Sequence, residues 1–248
     1  MTEEPKPHID NVKEASREAE TATSAKRPAR ALKGVVGAGK AIDLGALPDG
    51  ATLHSVLAEP VKLDGRKALR VRLTPEAAGG KPNVDFIDMP TFVRLPVDFE
   101  TGSISVEIKS GLLPDAPDYA RGFAGLAYRV SGGSFESVYL RPANGMKLKP
   151  PAPRDRRAIQ YFAFPDWKFD RLRNEEPDGG FEAGANIATG EWIRLAIFVD
   201  GKKLRATVNG DTVLEIVKTK AEPVMGDIGL WVDIGTEAYF ADLHVASR

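Results

Sequence analysis

The sequence contains no cysteine and only three histidines, and these absences remove several classes of site. Without cysteine there is no disulfide framework, no thiolate metal site and no cysteine nucleophile. The three histidines, His8, His54 and His244, lie far apart and share no ligand spacing. The sequence therefore argues against a histidine-based zinc site and against a Ser-His-Asp triad.

Long apolar runs and a strong excess of either charge are missing too. A membrane-spanning helix needs about 18 consecutive apolar residues, and no such run occurs. The net charge is −1 with 28% charged residues, whereas a nucleic-acid-binding protein usually carries a basic field. The acidic N-terminus lacks the basic and apolar regions of a signal peptide, so the expected location is cytoplasmic, or secreted or periplasmic if a leader is missing.

The glycine-rich stretch GVVGAGKA, residues 34–41, resembles a Walker loop but lacks two of its requirements. Ala41 stands where a Ser or Thr would hold Mg²⁺. A turn at Pro48, Asp49 and Gly50 soon follows, where the motif needs a helix. No nucleotide site is predicted.

Composition divides the chain into a tail and one domain. Residues 1–33 are polar and free of aromatic residues, so they cannot bury enough apolar surface to offset the entropy of ordering, and we predict a disordered tail. Residues 41–248 contain short apolar segments separated by turn residues, and no stretch keeps a helical period. We predict one domain over residues 41–248.

Alternating apolar and polar residues predict strands throughout this domain. Leu69–Leu73 and Ile104–Lys109 alternate, and the apolar stretch Phe86–Leu95, which contains Pro90, predicts an edge or bulged strand. Near the C-terminus, Asp200-Gly201 and Asn209-Gly210 separate alternating runs and predict hairpins whose two central residues take positive φ. The predicted fold is an all-β, two-sheet antiparallel β-sandwich, or jelly roll.

Several segments together carry a family likeness: DFETGSISVEIK, GFAGLAYRV, FESVYLRPANG, AIQYFAFPDWKFDRLR, GEWIRLAIFVDGKKLRATVNG and GDIGLWVDIGTEAYFADLHV. In this order they resemble the concanavalin A-like lectin/glucanase superfamily, in its laminin-G-like and 3-keto-disaccharide hydrolase-like branches. The resemblance implies a glycan ligand. This sequence departs from the glucanases of the superfamily, because none of its strands carries their paired carboxylates in the pattern E-x-D-x-E.

The stretch Arg121–Arg173 combines aromatic residues with arginine and amide side chains, the types that bind a sugar ring and its paired hydroxyls. Strand alternation places Tyr139 and Arg141 on an open face. It lets only one of Gln160 and Tyr161 face the same groove, and the sequence does not decide between them. The predicted ligand-binding residues of a groove on the concave sheet are Tyr139, Arg141, Asn144, Gln160, Tyr161, Trp167 and Arg171.

Eight lysines and arginines between Lys147 and Arg173 indicate that the oligosaccharide or polysaccharide could be acidic. The alternative is a solvated loop, because aspartates dilute this charge. The predicted function is a non-catalytic module that binds a glycan in this groove, since no strand carries the paired carboxylates of a glycosidase, and an enzyme is the alternative. A glycoside-acting enzyme, a hydrolase or keto-sugar lyase, would need a carboxylate, with Glu136, Glu175, Glu176 and Glu237 as candidates. No cofactor is predicted, although calcium at Asp85, Asp88 or Asp233 is an alternative.

Overall fold

The computed structural model describes residues 39–248, and these residues form two antiparallel β-sheets packed face to face. The predicted all-β sandwich is confirmed, whereas the predicted tail, residues 1–33, lies outside the described residues. The strands within residues 39–248 are β1 (Lys40–Ile42), β2 (Thr52–His54), β3 (Val56–Leu63), β4 (Arg66–Leu73), β5 (Phe92–Phe99), β6 (Gly102–Leu112), β7 (Ala124–Ser131), β8 (Ser134–Leu140), β9 (Ile159–Phe164), β10 (Glu182–Ala183), β11 (Ile193–Asp200), β12 (Lys203–Val208), β13 (Asp211–Ile216), β14 (Gly226–Val232) and β15 (Thr236–Ser247).

Helices are short. Within residues 39–248 the α-helices are α1 (Pro75–Ala78) and α2 (Phe169–Glu175), and the 3₁₀ turns are Pro142–Asn144, Met146–Leu148 and Arg154–Arg156. Helix α1 begins after Thr74, whose Oγ1 accepts a hydrogen bond from the Ala77 N–H at 3.2 Å. None of the helices in the described part of the chain is long and apolar enough to cross a membrane.

The strands of residues 39–248 divide into an eight-stranded and a seven-stranded sheet. The eight-stranded sheet has the order β13-β12-β11-β6-β15-β4-β3, with β1 also paired to β15. The seven-stranded sheet has the order β10-β9-β8-β7-β14-β5-β2. Among residues 39–248, six of these pairings join strands that are consecutive in the chain, and seven join strands that are not, so both sheets combine hairpins with long-range pairing.

Buried aliphatic and aromatic residues in cross-strand rows form the core between the two sheets. In the eight-stranded sheet one row joins Ile193, Ile108, Phe240 and Leu69. In the seven-stranded sheet the corresponding row runs through Val93, Leu230, Leu126, Val138 and Tyr161. All of these side chains are fully buried. The alternation read from the sequence therefore gives the inward face of each sheet.

The two predicted hairpins form, but only one has the predicted turn. Asn209 and Gly210 both have positive φ, 52° and 94°, as the Asn-Gly pair predicts. In the other hairpin Asp200 still pairs with Lys203, so the turn residues are Gly201 and Lys202, and φ is 57° at Gly201. Glycine at the first central position is typical of a type II′ turn, which explains why Asp200 remains in the strand.

The predicted edge strand Phe86–Leu95 differs from the structure. The strand β5 begins only at Phe92 and lies between β14 and β2, not at the edge. The preceding residues leave the sheet, and the Met89 carbonyl accepts a hydrogen bond from the Trp231 side chain at 2.8 Å. Apolar residues indicate burial, which led to the prediction of a strand. The segment before Phe92 instead packs against the sheet without joining it.

A buried ion pair lies between the sheets. Arg129 and Glu136 are 2% and 0% exposed, and Arg129 Nη1 donates to Glu136 Oε1 at 2.7 Å. Arg129 also donates to the carbonyls of Glu100 and Gly201, and the Tyr161 hydroxyl donates to the other Glu136 oxygen. Every charge in this network is hydrogen-bonded, which offsets the cost of desolvating it.

We expect Glu136→Ala to lower the free energy of unfolding by about 3–5 kcal/mol, because it leaves the Arg129 charge buried without its carboxylate partner. The matched control is Glu107→Ala, whose ion-pair partner Arg194 is 46% exposed, and it should cost about 1 kcal/mol or less. Urea unfolding of the two variants tests this. Similar losses in both would contradict the role given to the buried pair.

Candidate functional site

A cavity of about 290 Å³ lies where strand β8 ends. Its walls come from the end of β8 and the 3₁₀ turn after it, from helix α2, and from segments near residues 87, 120, 155 and 233. The residues that line it are Ile87, Asp88, Tyr119, Arg121, Phe123, Tyr139, Arg141, Asn144, Arg154, Arg157, Phe169, Arg173, Asp233 and Ile234. The cavity thus combines aromatic, cationic and carboxylic groups drawn from distant parts of the sequence.

Arginine dominates the polar part of this lining. Within residues 39–248, five arginines line the cavity: Arg121, Arg141, Arg154, Arg157 and Arg173. Burial, and then the positive charges of Arg154 and Arg141, lower the pKa of Arg121. The lining therefore concentrates positive charge, which favours an anionic ligand.

Glu182 of β10 partly compensates this charge. Its carboxylate pairs with Arg173 at 2.6 Å, with Arg157 at 2.9 Å and with Arg141 at 3.3 Å. Burial alone would raise the pKa of Glu182, but its hydrogen bond to Arg173 and the nearby arginine charges hold that pKa below its usual value. One carboxylate is therefore shared by three guanidinium groups.

The remaining two arginines of the cavity have no carboxylate partner among residues 39–248. Arg121 Nη1 donates to the backbone carbonyls of Asp118 and Ala120. The Arg154 side chain forms no ion pair or hydrogen bond within the described residues. Arg121 and Arg154 are consequently the groups best placed to bind an anionic substituent of a ligand.

Two buried polar atoms at the cavity have no hydrogen-bond partner within residues 39–248: Nε of Arg141 and Oδ1 of Asn144. Their residues are only 5% and 4% exposed. The other ends are engaged, since Arg141 Nη2 donates to Tyr139 Oη and Asn144 Nδ2 donates to the Arg157 carbonyl. A buried polar atom without a partner costs about 1–3 kcal/mol. Such a donor and acceptor are suited to oxygen and hydroxyl groups of a ligand.

The floor of the cavity depends on the Asp233 carboxylate. It accepts hydrogen bonds from the backbone N–H groups of Ile87, Asp88 and Ile234 at 3.0, 3.0 and 2.7 Å. Ile87 and Asp88 have φ of 70° and 51°, and positive φ is unfavourable for a β-branched residue such as Ile87. The hydrogen bonds to Asp233 hold this strained segment in place.

Asp88 is a second buried carboxyl group at the same place. It is 1% exposed, and its Oδ2 accepts a hydrogen bond from the Phe169 N–H at the start of α2, at 2.8 Å. Burial, reinforced by the negative charge of Asp233, raises the pKa of Asp88 to about 7. Burial also raises the pKa of Asp233. At neutral pH a large fraction of Asp88 is uncharged.

The structure brings three of the seven predicted binding residues to the cavity: Tyr139, Arg141 and Asn144. Burial raises the pKa of Tyr139, so its hydroxyl keeps its proton. Gln160 is fully buried behind them and accepts a hydrogen bond from Arg141 Nη2 at 3.2 Å. Of the pair left open by the sequence, Gln160 is thus on the cavity side.

The other three predicted residues lie elsewhere. Tyr161 points between the sheets, where its hydroxyl donates to the buried Glu136, so it cannot share a groove with Tyr139. Trp167 packs against the cations of Arg171 and Lys220, whose charged groups are 4.0 and 4.3 Å from its ring. Arg171 pairs with Glu175 at 2.9 Å. These aromatic and cationic groups interact with one another and do not line the cavity.

The outer face of the seven-stranded sheet, where a groove was predicted, is filled with aromatic side chains. Phe92, Phe135, Phe162 and Trp231 are nearly or fully buried there and contact one another with ring centroids 5.2–5.5 Å apart. Tyr139 extends this cluster to the cavity, with its ring 4.7 Å from Trp231. The arginine-lined cavity is therefore at one end of a covered aromatic face.

Sequence reasoning missed six polar residues of the cavity as binding residues: Asp88, Arg121, Arg154, Arg157, Arg173 and Asp233. Partial signals existed. Arg154, Arg157 and Arg173 belong to the basic stretch that suggested an acidic ligand. Asp88 and Asp233 were considered only for calcium, because nothing in the spacing of residues so far apart indicates that they meet.

The carboxylates considered for catalysis do not line the cavity. Glu136 is in the buried ion pair, Glu175 pairs with Arg171, and Glu176 pairs with Lys220. Glu237 pairs with Arg70 in the eight-stranded sheet. The carboxyl groups that do line the cavity are those of Asp88 and Asp233.

These two aspartates do not fit a calcium site. The oxygens of Asp233 accept backbone N–H hydrogen bonds, and Arg141 and Lys168 lie close enough to influence Asp88 electrostatically. Calcium requires several free oxygen ligands. Asp85 is used separately, since its Oδ2 accepts from the Lys81 N–H. Within residues 39–248 no group of three or more His, Cys, Asp or Glu side chains could hold a metal ion.

No protein-family model matches this sequence, and no curated protein matches it either. Among solved structures it is similar to carbohydrate-binding module CBM66 from Bacillus subtilis, at 12% identity and a TM-score of 0.48 over 79% of this chain and 98% of that one. It is also similar to a Bacillus subtilis protein with a galectin-like fold, at 11% identity and a TM-score of 0.48 over 86% and 99%. A Parabacteroides distasonis protein with the provisional name glycosyl hydrolase is also similar, at 12% identity and a TM-score of 0.46 over 84% of this chain and 100% of that one. Likeness at these TM-scores carries no argument about ligand or activity.

We expect Asp233→Ala to lower the free energy of unfolding by about 3 kcal/mol or more, because backbone N–H groups of the strained segment lose a charged acceptor. Urea unfolding measures the loss. The matched control is Asp178→Ala, which removes an exposed carboxylate and should change stability by about 0.5 kcal/mol or less. Equal unfolding midpoints for the two variants would show that Asp233 does not hold the floor of the cavity.

Proposed function

We propose that this protein binds an acidic saccharide in the cavity at the end of β8. The observation that carries the proposal is the combination of uncompensated arginine charge with a buried, unpartnered donor and acceptor, Arg141 Nε and Asn144 Oδ1. A ligand with both an anionic group and hydroxyl groups satisfies all of them at once. A saccharide carrying a carboxylate or a sulfate is such a ligand.

The charge of the cavity selects the anionic group. Each of Arg141, Arg157 and Arg173 already contacts Glu182, whereas Arg121 and Arg154 have no carboxylate partner in the described part of the chain. A planar guanidinium binds a carboxylate or sulfate through paired hydrogen bonds. Arg121 and Arg154 therefore bind the anionic group of the saccharide.

The unpartnered atoms select hydroxyl groups. Asn144 Oδ1 can accept a hydrogen bond from a hydroxyl, and Arg141 Nε can donate one to an oxygen. Tyr119, Phe123 and Phe169 supply apolar surface in the same cavity, which suits the C–H face of a sugar ring. Small-molecule pockets span about 300–1,000 Å³, so a cavity of about 290 Å³ suits one small saccharide unit more than a long polymer segment.

A second candidate function is an enzyme that acts on an acidic glycoside. The observation that favours it is Asp88, a buried carboxyl group with a pKa of about 7 at the cavity, because a general acid works best when its pKa is near the operating pH. Incubation with 4-nitrophenyl β-D-glucuronide and with D-glucuronate-containing disaccharides, followed by product analysis, separates the two functions. Binding without products favours the module, and released products favour the enzyme.

We expect D-glucuronate or D-galacturonate to bind at least tenfold more tightly than D-glucose or D-galactose in isothermal titration calorimetry, because only the acids use the free arginine charge. Arg154→Gln should reduce the affinity for the acid at least tenfold. Raising the salt concentration should also weaken it, since the attraction is partly screened.

Arg156→Gln is the matched control, because Arg156 is exposed in the same 3₁₀ turn and does not line the cavity. It should leave the affinity for the acid unchanged within about twofold. Equal binding of acidic and neutral sugars would contradict the anionic part of the proposal. No binding across the whole panel would contradict saccharide binding in this cavity.

A further inference from the structure

We propose that Asp88 binds the saccharide in its protonated form, donating a hydrogen bond from Oδ1, so that binding is coupled to the uptake of a proton. This inference rests on the proposed function, because it assigns a role to one residue of the same cavity. It predicts a ligand affinity that depends on the protonation of one buried carboxyl group.

The geometry leaves one oxygen of Asp88 for the ligand. Oδ2 accepts the hydrogen bond from the Phe169 N–H, whereas Oδ1 has no hydrogen-bond partner within residues 39–248. Asp88 lines the cavity and is 1% exposed, and its backbone N–H is held by Asp233. Its side chain is thus fixed from two sides, with one oxygen left to contact a molecule in the cavity.

The charged and titratable groups around Asp88 are Asp233 after β14, Tyr139 and Arg141 at the end of β8, and Lys168 before α2. None of them donates a hydrogen bond to the Asp88 carboxylate. Arg141 donates to Tyr139, Gln160 and Glu182, and Lys168 donates to the Ile87 carbonyl. A carboxylate buried beside Asp233, without a direct cationic partner, is more stable when protonated.

The ligand strengthens this preference. An anionic saccharide adds negative charge to the cavity and so raises the pKa of Asp88 further above about 7. Below pH 7 Asp88 is protonated with or without the ligand, and the affinity is constant. Between the pKa of the free protein and that of the complex, binding takes up one proton, and the affinity falls about tenfold for each pH unit.

The test is calorimetric titration with D-glucuronate and D-galacturonate at pH 6 and pH 8.5, where both acids are fully ionised. We expect the wild type to bind at least tenfold more weakly at pH 8.5. In Asp88→Asn the amide can accept from Phe169 and donate to the ligand at every pH, so its ratio of affinities between pH 6 and pH 8.5 should be close to one. Titrations in buffers of different ionisation enthalpy should show about one proton taken up by the wild type at pH 8 and none by the variant.

The matched control is Asp170→Asn, which changes an exposed carboxylate at the start of α2 outside the cavity. It should keep the wild-type ratio between the two pH values. Equal ratios for the wild type and Asp88→Asn would overturn the inference while leaving saccharide binding intact. If neither acid binds the wild type at pH 6, the proposed function itself fails.

A second measurement needs no ligand. Asp88 keeps its proton in the folded state up to about pH 7, whereas an aspartate in the unfolded chain loses its proton at about pH 4. The wild type should therefore lose stability relative to Asp88→Asn as the pH rises from about 4 to about 7. Above pH 7 the difference in Tm should stay constant. A Tm difference that does not change between pH 4 and pH 8 would also overturn the inference, since Asp88 would then be ionised as an ordinary aspartate.

Discussion

The cavity depends on the hydrogen bonds that backbone N–H groups donate to the Asp233 carboxylate. These hydrogen bonds hold Ile87 and Asp88 at positive φ, and Asp88 in turn accepts the N–H of Phe169, the first residue of α2. Helix α2 carries Arg173 into the cavity wall. A chain of hydrogen bonds thus links the end of β14, the segment before β5 and α2, and it sets where the floor and one wall of the site lie.

The arginines of the cavity outnumber the carboxylate that pairs with them, which leaves positive charge in the lining. Glu182 is shared by Arg141, Arg157 and Arg173, so these guanidinium groups are held in fixed positions without being fully neutralised. A partly desolvated cation with a fixed orientation binds an anion more selectively than a flexible surface lysine does.

Local sequence pattern predicts the sheets, and three of the seven predicted binding residues line the cavity. Alternation and turn residues predict the strands and both hairpins, although only Asn209-Gly210 forms the predicted turn. Strand parity places Tyr139 and Arg141 on the face that reaches the cavity. The contact between Asp233 and Ile87 spans 146 residues, and no short-range pattern reports it. Positive φ at Ile87 even opposes the local preference of that residue, and such conflicts between local and global structure are typical of functional sites.

The aromatic residues of the central stretch suggested stacking on a sugar, but most of them have another role. Phe135 and Phe162 pack with Trp231 into a rigid layer, and Tyr139 joins that layer to Arg141 through its hydroxyl. Because the layer fixes the Tyr139 ring, it also fixes the Arg141 guanidinium, whose Nε is buried without a hydrogen-bond partner. In the proposed binding site the aromatic content of the stretch therefore acts indirectly, by orienting a cation. A sequence that combines aromatic residues with arginine predicts a polar site supported by aromatic packing as readily as it predicts an aromatic binding platform.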